Sequence, residues 1–292
     1  MACIERIKHD VETCDKEKSL QVFYSHETKK YSGFCFSCSS KGLPAYVADP
    51  YGGKKPEAPK KLSKEELFEQ VQEVRALSAP TFDHRGIPAS YYRKTGVRLA
   101  LSEEDGKTPF SLNYPCLLNG KVVGFEVRPL SFKAFWSVGD TAGCDLWNWD
   151  VAKKRSVKRL YITESKIDAI SLEFMLEEQA RKSNSKYNKF AVVSLPHGVK
   201  SAVPTIGRMR KQIDSVFDQV VLVLDNDEAG ELATSDVVKI MPDVLVCPYP
   251  TNAKDANEAL QAGDGAIFAN YALWKSRKPT IEGVVSVSTV LK

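Results

Sequence analysis

The stretch "VVLVLDNDEAG", residues 220–230, runs from five apolar residues directly into Asp225 and Asp227 and then reaches Gly230. The apolar run is typical of a buried strand, and the residues after it are typical of the start of a helix. An aspartate at such a junction can simply cap the helix by accepting hydrogen bonds from free backbone N–H groups. Alternatively, the two acids lie at the carboxyl edge of a parallel sheet, where open α/β folds place their ligands, and bind a metal ion.

The surrounding sequence decides the fold class. From residue 157 onward, apolar segments alternate with segments of helical spacing, and the predicted strands are "VKRLYITE" (157–164), "FAVVSLP" (190–196), "VVLVLD" (220–225) and "DVLVCPYP" (243–250). Near-continuous apolar strands that alternate with amphipathic helices indicate a parallel sheet covered on both faces. The predicted class is therefore α/β, and we expect this domain to span residues 156–275.

The N-terminal half divides into three parts by composition. Residues 1–43 contain short β-like segments that suggest a hairpin, and residues 44–62 carry the prolines, glycines and lysines of an exposed linker. Residues 63–155 have α+β character: a capped helix is followed by "SLNYPCLLNGKVVGFEVRPL", in which Asn-Gly separates two strand patterns. Asn-Gly between alternating apolar residues is a strong hairpin signal. Residues 276–292 are expected to be a linker or tail.

Composition excludes several classes of protein. The chain has 292 residues, a net charge of +4 and seven cysteines, and no apolar run approaches the ~20 residues of a membrane span. The N-terminus has no signal region, so we expect a cytoplasmic protein without a disulfide framework. Cys116, Cys144 and Cys247 stand singly in apolar surroundings and are predicted to be buried, inert thiols.

Acidic residues follow three of the four predicted strands. Because the carboxyl ends of parallel strands meet at one edge, these side chains should converge in space. A group of carboxylates without matching cations either shifts its pKa values or binds a hard divalent ion such as Mg²⁺ or Mn²⁺. The acids singled out are Glu164, Asp168, Asp225, Asp227 and Asp255, with Glu258 close by.

This combination resembles the Toprim domain of bacterial-type primases, topoisomerases and some nucleases. "TESKIDAIS" is similar to its glutamate motif and "LVLDNDEAG" to its D-x-D motif, while "KDANE" (254–258) is similar to a block of phage primase–helicases and their mitochondrial relative Twinkle. "HRGI" (84–87), "VVSLPHG" (192–198) and the tail "IEGVVSVSTVLK" resemble further parts of that family. One departure is Ser165, where the family commonly has glycine; we expect it to cap the following helix.

The resemblance implies an N-terminal zinc ribbon that reads template DNA. Cys35 and Cys38 form one C-x2-C knuckle suited to tetrahedral Zn²⁺, and Cys14 fits the second pair. Residue 11 is valine where the family usually has cysteine. We favour His9 as the fourth ligand, with Cys3 as the main alternative; Glu17, His26 or a site that has lost its metal remain open.

The resemblance also assigns the middle region to nucleotide and template binding. Arg128 and Lys133 occupy positions where the family places basic residues facing the catalytic carboxylates, and these would balance the charge of triphosphates. Arg85 is expected to contact template or nucleotide. The alternative for each of these residues is a solvated surface charge. His197, which follows a strand end, is expected either to contact nucleotide or a carboxylate or to have a structural role. We expect Trp136, Trp147 and Trp149 to lie in the core.

Taken together, these features predict a DNA primase that makes short RNA primers on single-stranded DNA from ribonucleoside triphosphates. Asp225 and Asp227 would hold the magnesium, and Glu164 would either hold it as well or act as general base. Asp168 and Asp255 would support the arrangement, and two ions could stabilise the attacking and leaving oxygens. A replicative helicase, fused or separate, and a DNA polymerase are the implied partners. The alternatives are a Toprim nuclease, which would need no zinc module, and a non-catalytic single-stranded DNA binder that loads a helicase.

Overall fold

The structure is a computed structural model that describes residues 3–7, 20–25, 30–35, 41, 62–183 and 190–279. Internal contacts separate the chain into two units, residues 1–63 and residues 64–292. All but the last residue of the predicted linker at 44–62 lie outside the described residues. No helix in the described ranges is both long and apolar enough to cross a bilayer.

The first unit contains an antiparallel sheet of three strands in the order β1 (Cys3–Ile7), β2 (Leu20–Ser25) and β3 (Lys30–Cys35). The β2–β3 pair runs from Leu20 opposite Cys35 to Ser25 opposite Lys30, which confirms the predicted hairpin, whereas β1 was not predicted. Alternate residues of β2 are buried, as expected of a strand with one covered face.

Most of the predicted zinc ligands lie outside the described residues. His9, Cys14 and Cys38 lie outside the described residues, as does the side chain of the alternative ligand Cys3. Cys35 is buried at the end of β3. The zinc site therefore stays a prediction.

The second unit begins with an α+β part built on one antiparallel sheet. Its elements are α1 (Lys64–Ala76), α2 (Ala89–Lys94), β4 (Arg98–Leu101), β5 (Pro109–Leu118), β6 (Lys121–Pro129), β7 (Trp136–Gly139) and α3 (Trp149–Ala152). The strands pair in the order β4-β5-β6-β7. Between β5 and β6, Asn119 and Gly120 both have positive φ angles, 51° and 80°. Such a pair is typical of the type I′ turn, so the Asn-Gly hairpin is confirmed.

The rest of the second unit is a parallel α/β domain. Its elements are β8 (Arg159–Thr163), α4 (Lys166–Ser183), β9 (Ala191–Ser194), α5 (Ala202–Val216), β10 (Gln219–Val223), α6 (Glu228–Ile240), β11 (Leu245–Val246), α7 (Ala256–Gln261) and α8 (Gly265–Trp274). The four strands pair in parallel in the order β11-β10-β8-β9, which confirms the predicted parallel sheet. β11 is shorter than predicted, and α7 and α8 were not predicted.

Two apolar cores cover the two faces of the parallel sheet. On one face α4, α7 and α8 bury Ile170, Leu172 and Phe268, and this core continues into the antiparallel part. On the other face α5 and α6 bury Met209 and Val237 among others. Each such fully buried side chain contributes roughly 1.5–3 kcal/mol, so both faces stabilise the strand ends that carry the acids.

Single tryptophans and cysteines test the core prediction. Trp147 and Trp149 are buried, and Trp147 forms an antiparallel bridge with Ser194 at the edge of the parallel sheet. The prediction for Trp136 was wrong: this residue is 41% exposed, because it opens β7, the edge strand of its sheet. Burial of the thiols is confirmed for Cys116, Cys144 and Cys247.

Candidate functional site

The predicted acids emerge from one edge of the parallel sheet. Glu164 directly follows β8, and Asp225 comes two residues after β10. Because β8 and β10 are paired neighbours with Thr163 opposite Val223, the two acids leave the sheet side by side. The carboxyl edge of an open α/β sheet is the usual place for a ligand.

Burial and neighbouring negative charges raise the pKa values of three of these acids. Burial, then the carboxylates of Glu164 and Asp255, raise the pKa of Asp225 to about 7. Burial likewise raises the pKa of Glu164, helped by the negative charges of Asp227 and Asp168. The pKa of Asp168 is raised by burial and by Asp255. Full ionisation of this group is therefore disfavoured in the absence of a bound cation.

One carboxylate oxygen at this edge has no hydrogen-bond partner among the described atoms. Oε2 of Glu164 is buried and accepts no hydrogen bond from the described atoms. Beside the same carboxylate, Gly198 has a positive φ of 64°, and a Cβ added there would lie 3.7 Å from Oε1 of Glu164. An unpaired buried acceptor costs about 1–3 kcal/mol, so this oxygen is suited to a ligand that the structure does not hold.

The carboxylates fit a divalent cation by their chemistry, because Mg²⁺ prefers oxygen ligands. Over the described ranges, however, no three Asp, Glu, His or Cys side chains are already gathered into a metal-binding group. The oxygen donors thus lie at one edge of the sheet without forming such a group among the described residues.

The two carboxylate oxygens of Asp227 have different partners. Its Oδ1 accepts a hydrogen bond of 2.9 Å from the N–H of Gly230 and so caps α6. Its Oδ2 lies 3.0 Å from Nζ of Lys254. The Gly230 N–H and Lys254 hold the pKa of Asp227 below its usual range. The capping explanation is therefore correct for Oδ1, while Oδ2 faces the Lys254 ammonium.

Gly230, which follows the two aspartates, cannot be replaced by a larger residue for a steric reason. A Cβ added to Gly230 would lie 2.0 Å from the carbonyl oxygen of Asp225, a distance that real side chains do not reach. Only glycine allows the first turn of α6 to approach the backbone of Asp225 this closely.

Asp168 and Asp255 both accept hydrogen bonds from backbone N–H groups in the first turn of α7. Asp168 accepts hydrogen bonds from the Asn257 N–H at 3.0 Å and from the Ser165 hydroxyl. The Ser165 hydroxyl in turn accepts from the Asp168 N–H at 3.3 Å, so Ser165 caps α4 as expected. Asp255 accepts from the Glu258 N–H at 2.7 Å and caps α7. Both acids thereby fix elements around the site.

The predicted basic residues are accessible. Arg85 and Lys133 are exposed, and Arg128 donates from Nε to Oε1 of Glu126 at 2.7 Å while its guanidinium lies over the ring of Phe135. His197 is exposed, and its Nε2 donates to the Thr141 carbonyl at 2.8 Å. This hydrogen bond gives His197 a structural contact, and its expected contact with nucleotide stays a prediction.

A buried ion pair next to the site was not predicted. Nζ of Lys166 donates to Oε2 of Glu126 at 2.7 Å and to the Pro196 carbonyl at 2.8 Å. The Lys166 and Glu126 side chains are only 3% and 6% exposed. Since Glu126 also binds Arg128, the pair ties the strand that presents Arg128 to the first turn of α4, between Glu164 and Asp168.

Asn257 is a second residue that sequence reasoning missed. Its buried amide donates to the Arg85 carbonyl at 3.0 Å and to the Ser171 hydroxyl at 2.9 Å. Asn257 therefore joins the "HRGI" turn to α4 and α7. The only signal was its place in "KDANE".

The Asn257→Ala variant is expected to lose about 2 kcal/mol of unfolding free energy, because the Arg85 carbonyl and the Ser171 hydroxyl lose their donor. Urea unfolding measures this loss. Asn270→Ala is a matched control, since Asn270 is exposed and bonds only to Gln179 on the surface in the described contacts; we expect less than about 0.5 kcal/mol there. Equal losses in both variants would contradict the bridging role of Asn257.

A groove of about 560 Å³ opens beside Asp225. It lies between α6 and the segment after β11, and Asn226, Thr234 and Tyr249 are among its lining residues. The Tyr249 hydroxyl is buried and has no hydrogen-bond partner among the described atoms. A concave space with a few convergent polar groups is suited to a small ligand.

The metal-free protein is expected to lose stability as the pH rises from about 4 to about 7. Asp225 has a pKa of about 7 in the folded chain against an ordinary 3.8, so the folded state holds more protons than the unfolded state across this window. Urea unfolding in chelator at pH 5 and pH 8 measures the slope. Asp225→Asn should reduce the pH dependence of the unfolding free energy, whereas the control Asp218→Asn, at an exposed position, should not. An unchanged pH dependence in Asp225→Asn would contradict the raised pKa of Asp225.

Comparison with known proteins identifies the domain first. Residues 161–260, which lie in the parallel α/β domain, match the Toprim-like family model. A DNA helicase/primase of Enterobacteria phage T3 is 30% identical over 172 residues, which make up 58% of this chain and 27% of that protein. The chain thus spans about a quarter of the length of this relative.

Solved structures point to the same group. The primase fragment of the bacteriophage T7 primase-helicase protein aligns with a TM-score of 0.56 at 24% identity, over 94% of this chain and 100% of that one, and shows the fold. A complex of bacteriophage T7 lagging-strand DNA polymerase with primase domains bound to an RNA/DNA hybrid and dTTP aligns with a TM-score of 0.54 at 26% identity, over 67% and 90% of the two chains. The chain resembles the primase half of the phage primase–helicases.

Proposed function

We propose that this protein is a DNA primase of phage replication that synthesises short RNA primers on single-stranded DNA. The observation that carries the proposal is the group of interacting carboxylates at the carboxyl edge of a Toprim-like domain, with the unpaired oxygen of Glu164 among them. The likeness to phage helicase/primase proteins supplies the class of reaction.

Primer synthesis is a nucleotidyl transfer. The 3′-oxygen of one ribonucleotide attacks the α-phosphorus of the next, the bond to the bridging oxygen breaks, and pyrophosphate leaves. The 3′-hydroxyl must lose its proton during this step. Glu164 either accepts that proton on its carboxylate, for which its raised pKa is suited, or serves as a metal ligand.

Glu164, Asp225 and Asp227 would hold Mg²⁺ or Mn²⁺. Bound there, divalent ions would stabilise negative charge on the attacking and leaving oxygens. Asp168 and Asp255 act through position, because their hydrogen bonds fix α4 and α7 around the edge.

Arg128, Lys133 and Arg85 would bind the triphosphate and the template. Arg128 is oriented by Glu126, which is itself held by Lys166 next to Glu164. The groove beside Asp225 provides room for a nucleotide near the carboxylates. His197, fixed to Thr141, would border the nucleotide from the side of β9.

The N-terminal unit would read the template through a Zn²⁺ ion held by Cys14, Cys35, Cys38 and either His9 or Cys3. A replicative helicase and a DNA polymerase would be partners, since primers are made at a replication fork. The protein would act in the host cytoplasm, without a membrane partner.

The test uses two labels in one reaction. Wild-type protein is mixed with Mg²⁺, ribonucleoside triphosphates carrying one label and single-stranded DNA carrying another. Short RNA products on intact template are expected. Cut template without RNA would favour a Toprim nuclease, and binding with neither product would favour a non-catalytic helicase loader; either result overturns the proposal.

A further inference from the structure

Lys254 is the cation that contacts the acidic edge. Its Nζ lies 3.0 Å from Oδ2 of Asp227 and 3.9 Å from Oδ2 of Asp225. Within the described part of the chain, no other Lys or Arg forms an ion pair with these two aspartates or with Glu164. Lys254 therefore lies at the point where the two aspartates meet.

The backbone of Lys254 is hydrogen-bonded on both sides, whereas its side chain is largely exposed. Its carbonyl accepts a 2.7 Å hydrogen bond from the N–H of Asn226, the residue between the two aspartates. Its own N–H donates to the carboxylate of Glu258. The side chain is 56% exposed and ends in an ammonium with no other described ion pair. The ammonium can leave the aspartates while the residue stays attached beside them.

The ammonium and a divalent ion would compete for the same oxygens. Lys254 offsets part of the repulsion among the acids, yet a half-exposed pair of this kind is weak. A divalent ion carries twice the charge and accepts several carboxylate oxygens at once. Two cations sharing Oδ2 of Asp227 would repel each other, so only one of them can occupy the position at a time.

We propose that Lys254 is a tethered counter-ion, which holds Asp225 and Asp227 in the metal-free protein and is exchanged for the divalent ion on metal binding. The inference rests on the metal site of the proposed function. The exchange predicts weak metal binding by the free protein, because each ion must displace the ammonium.

The test is Mn²⁺ binding by the full chain without nucleotide or DNA, measured by isothermal titration calorimetry. Lys254→Met is expected to bind Mn²⁺ about two- to fivefold more tightly than wild type, because the competing charge is gone. Lys278→Met is the matched control: Lys278 pairs with the exposed Asp243 at 2.8 Å, and its loss should leave the Mn²⁺ affinity unchanged.

A second readout separates exchange from a merely structural role. In chelator, Lys254→Met should melt at a lower temperature than wild type, and saturating Mg²⁺ should remove this deficit. A deficit that persists in Mg²⁺, or a Mn²⁺ affinity equal to or weaker than that of wild type, would overturn the counter-ion role alone. A third outcome concerns the site itself. If wild type bound no Mn²⁺, or bound it as tightly as Asp225→Asn/Asp227→Asn does, the metal site of the proposed function would fail, and the counter-ion role with it.

Discussion

The Asp225→Asn/Asp227→Asn protein is expected to make primers at least about a thousandfold more slowly than wild type. The variant keeps the shape of both side chains but removes the charges that would hold a divalent ion, and such an ion is worth several kcal/mol of transition-state stabilisation. The measurement is the initial rate of RNA product formation on single-stranded DNA at saturating Mg²⁺.

Asparagine is chosen because Asp227 also caps α6. Asparagine is as good a cap as aspartate, so the helix should persist and the loss should be one of chemistry. Asp243→Asn serves as the control, since Asp243 is exposed and pairs with Lys278 on the surface. A double variant that retained more than a tenth of wild-type activity would refute the assignment of these acids.

The Glu126→Gln variant is expected to lose about 3 kcal/mol of unfolding free energy. Burial by itself would raise the pKa of Glu126, but Lys166 and Arg128 hold it below its usual value, so the side chain is ionised in a buried place. Removing its charge leaves the Lys166 ammonium buried without an anion, and breaking a buried pair from one side is costly. Urea unfolding at pH 7 measures the loss.

The exposed pair Lys158–Asp218, at 3.2 Å, is the matched control. Asp218→Asn should cost less than about 1 kcal/mol, because exposed pairs contribute little. The double variant Glu126→Leu/Lys166→Met should regain most of the stability, since it leaves no buried charge behind. Similar losses of unfolding free energy in Glu126→Gln and Asp218→Asn would show that the buried pair stabilises the protein no more than the exposed one.

Local sequence signals predicted the elements that carry the site. The apolar strands ending at Glu164 and Asp225, and the turn at Asn119 and Gly120, depend on neighbouring residues only, so their patterns survive in the structure. The convergence of Glu164 and Asp225 at one edge followed from the rule that parallel strands end on the same side.

The contacts that organise the site were not predictable in the same way. Lys166 and Glu126 are 40 residues apart, and Asn257 and Arg85 are 172 residues apart, so no local pattern links them. Lys254 stood beside a noted acid but gave no sign that it would reach Asp227. The exposure of Trp136 depends on β7 being an edge strand, which only the strand order reveals.

The most direct test of the central claim, that this acidic edge holds the divalent ion used in primer synthesis, is anomalous X-ray scattering from crystals grown with Mn²⁺, single-stranded DNA and ribonucleoside triphosphate. We predict a Mn²⁺ peak bound by the carboxylates of Asp225 and Asp227, with Glu164 nearby and the Lys254 ammonium displaced. A fully occupied Mn²⁺ site elsewhere, with Lys254 still paired to Asp227, would contradict the account.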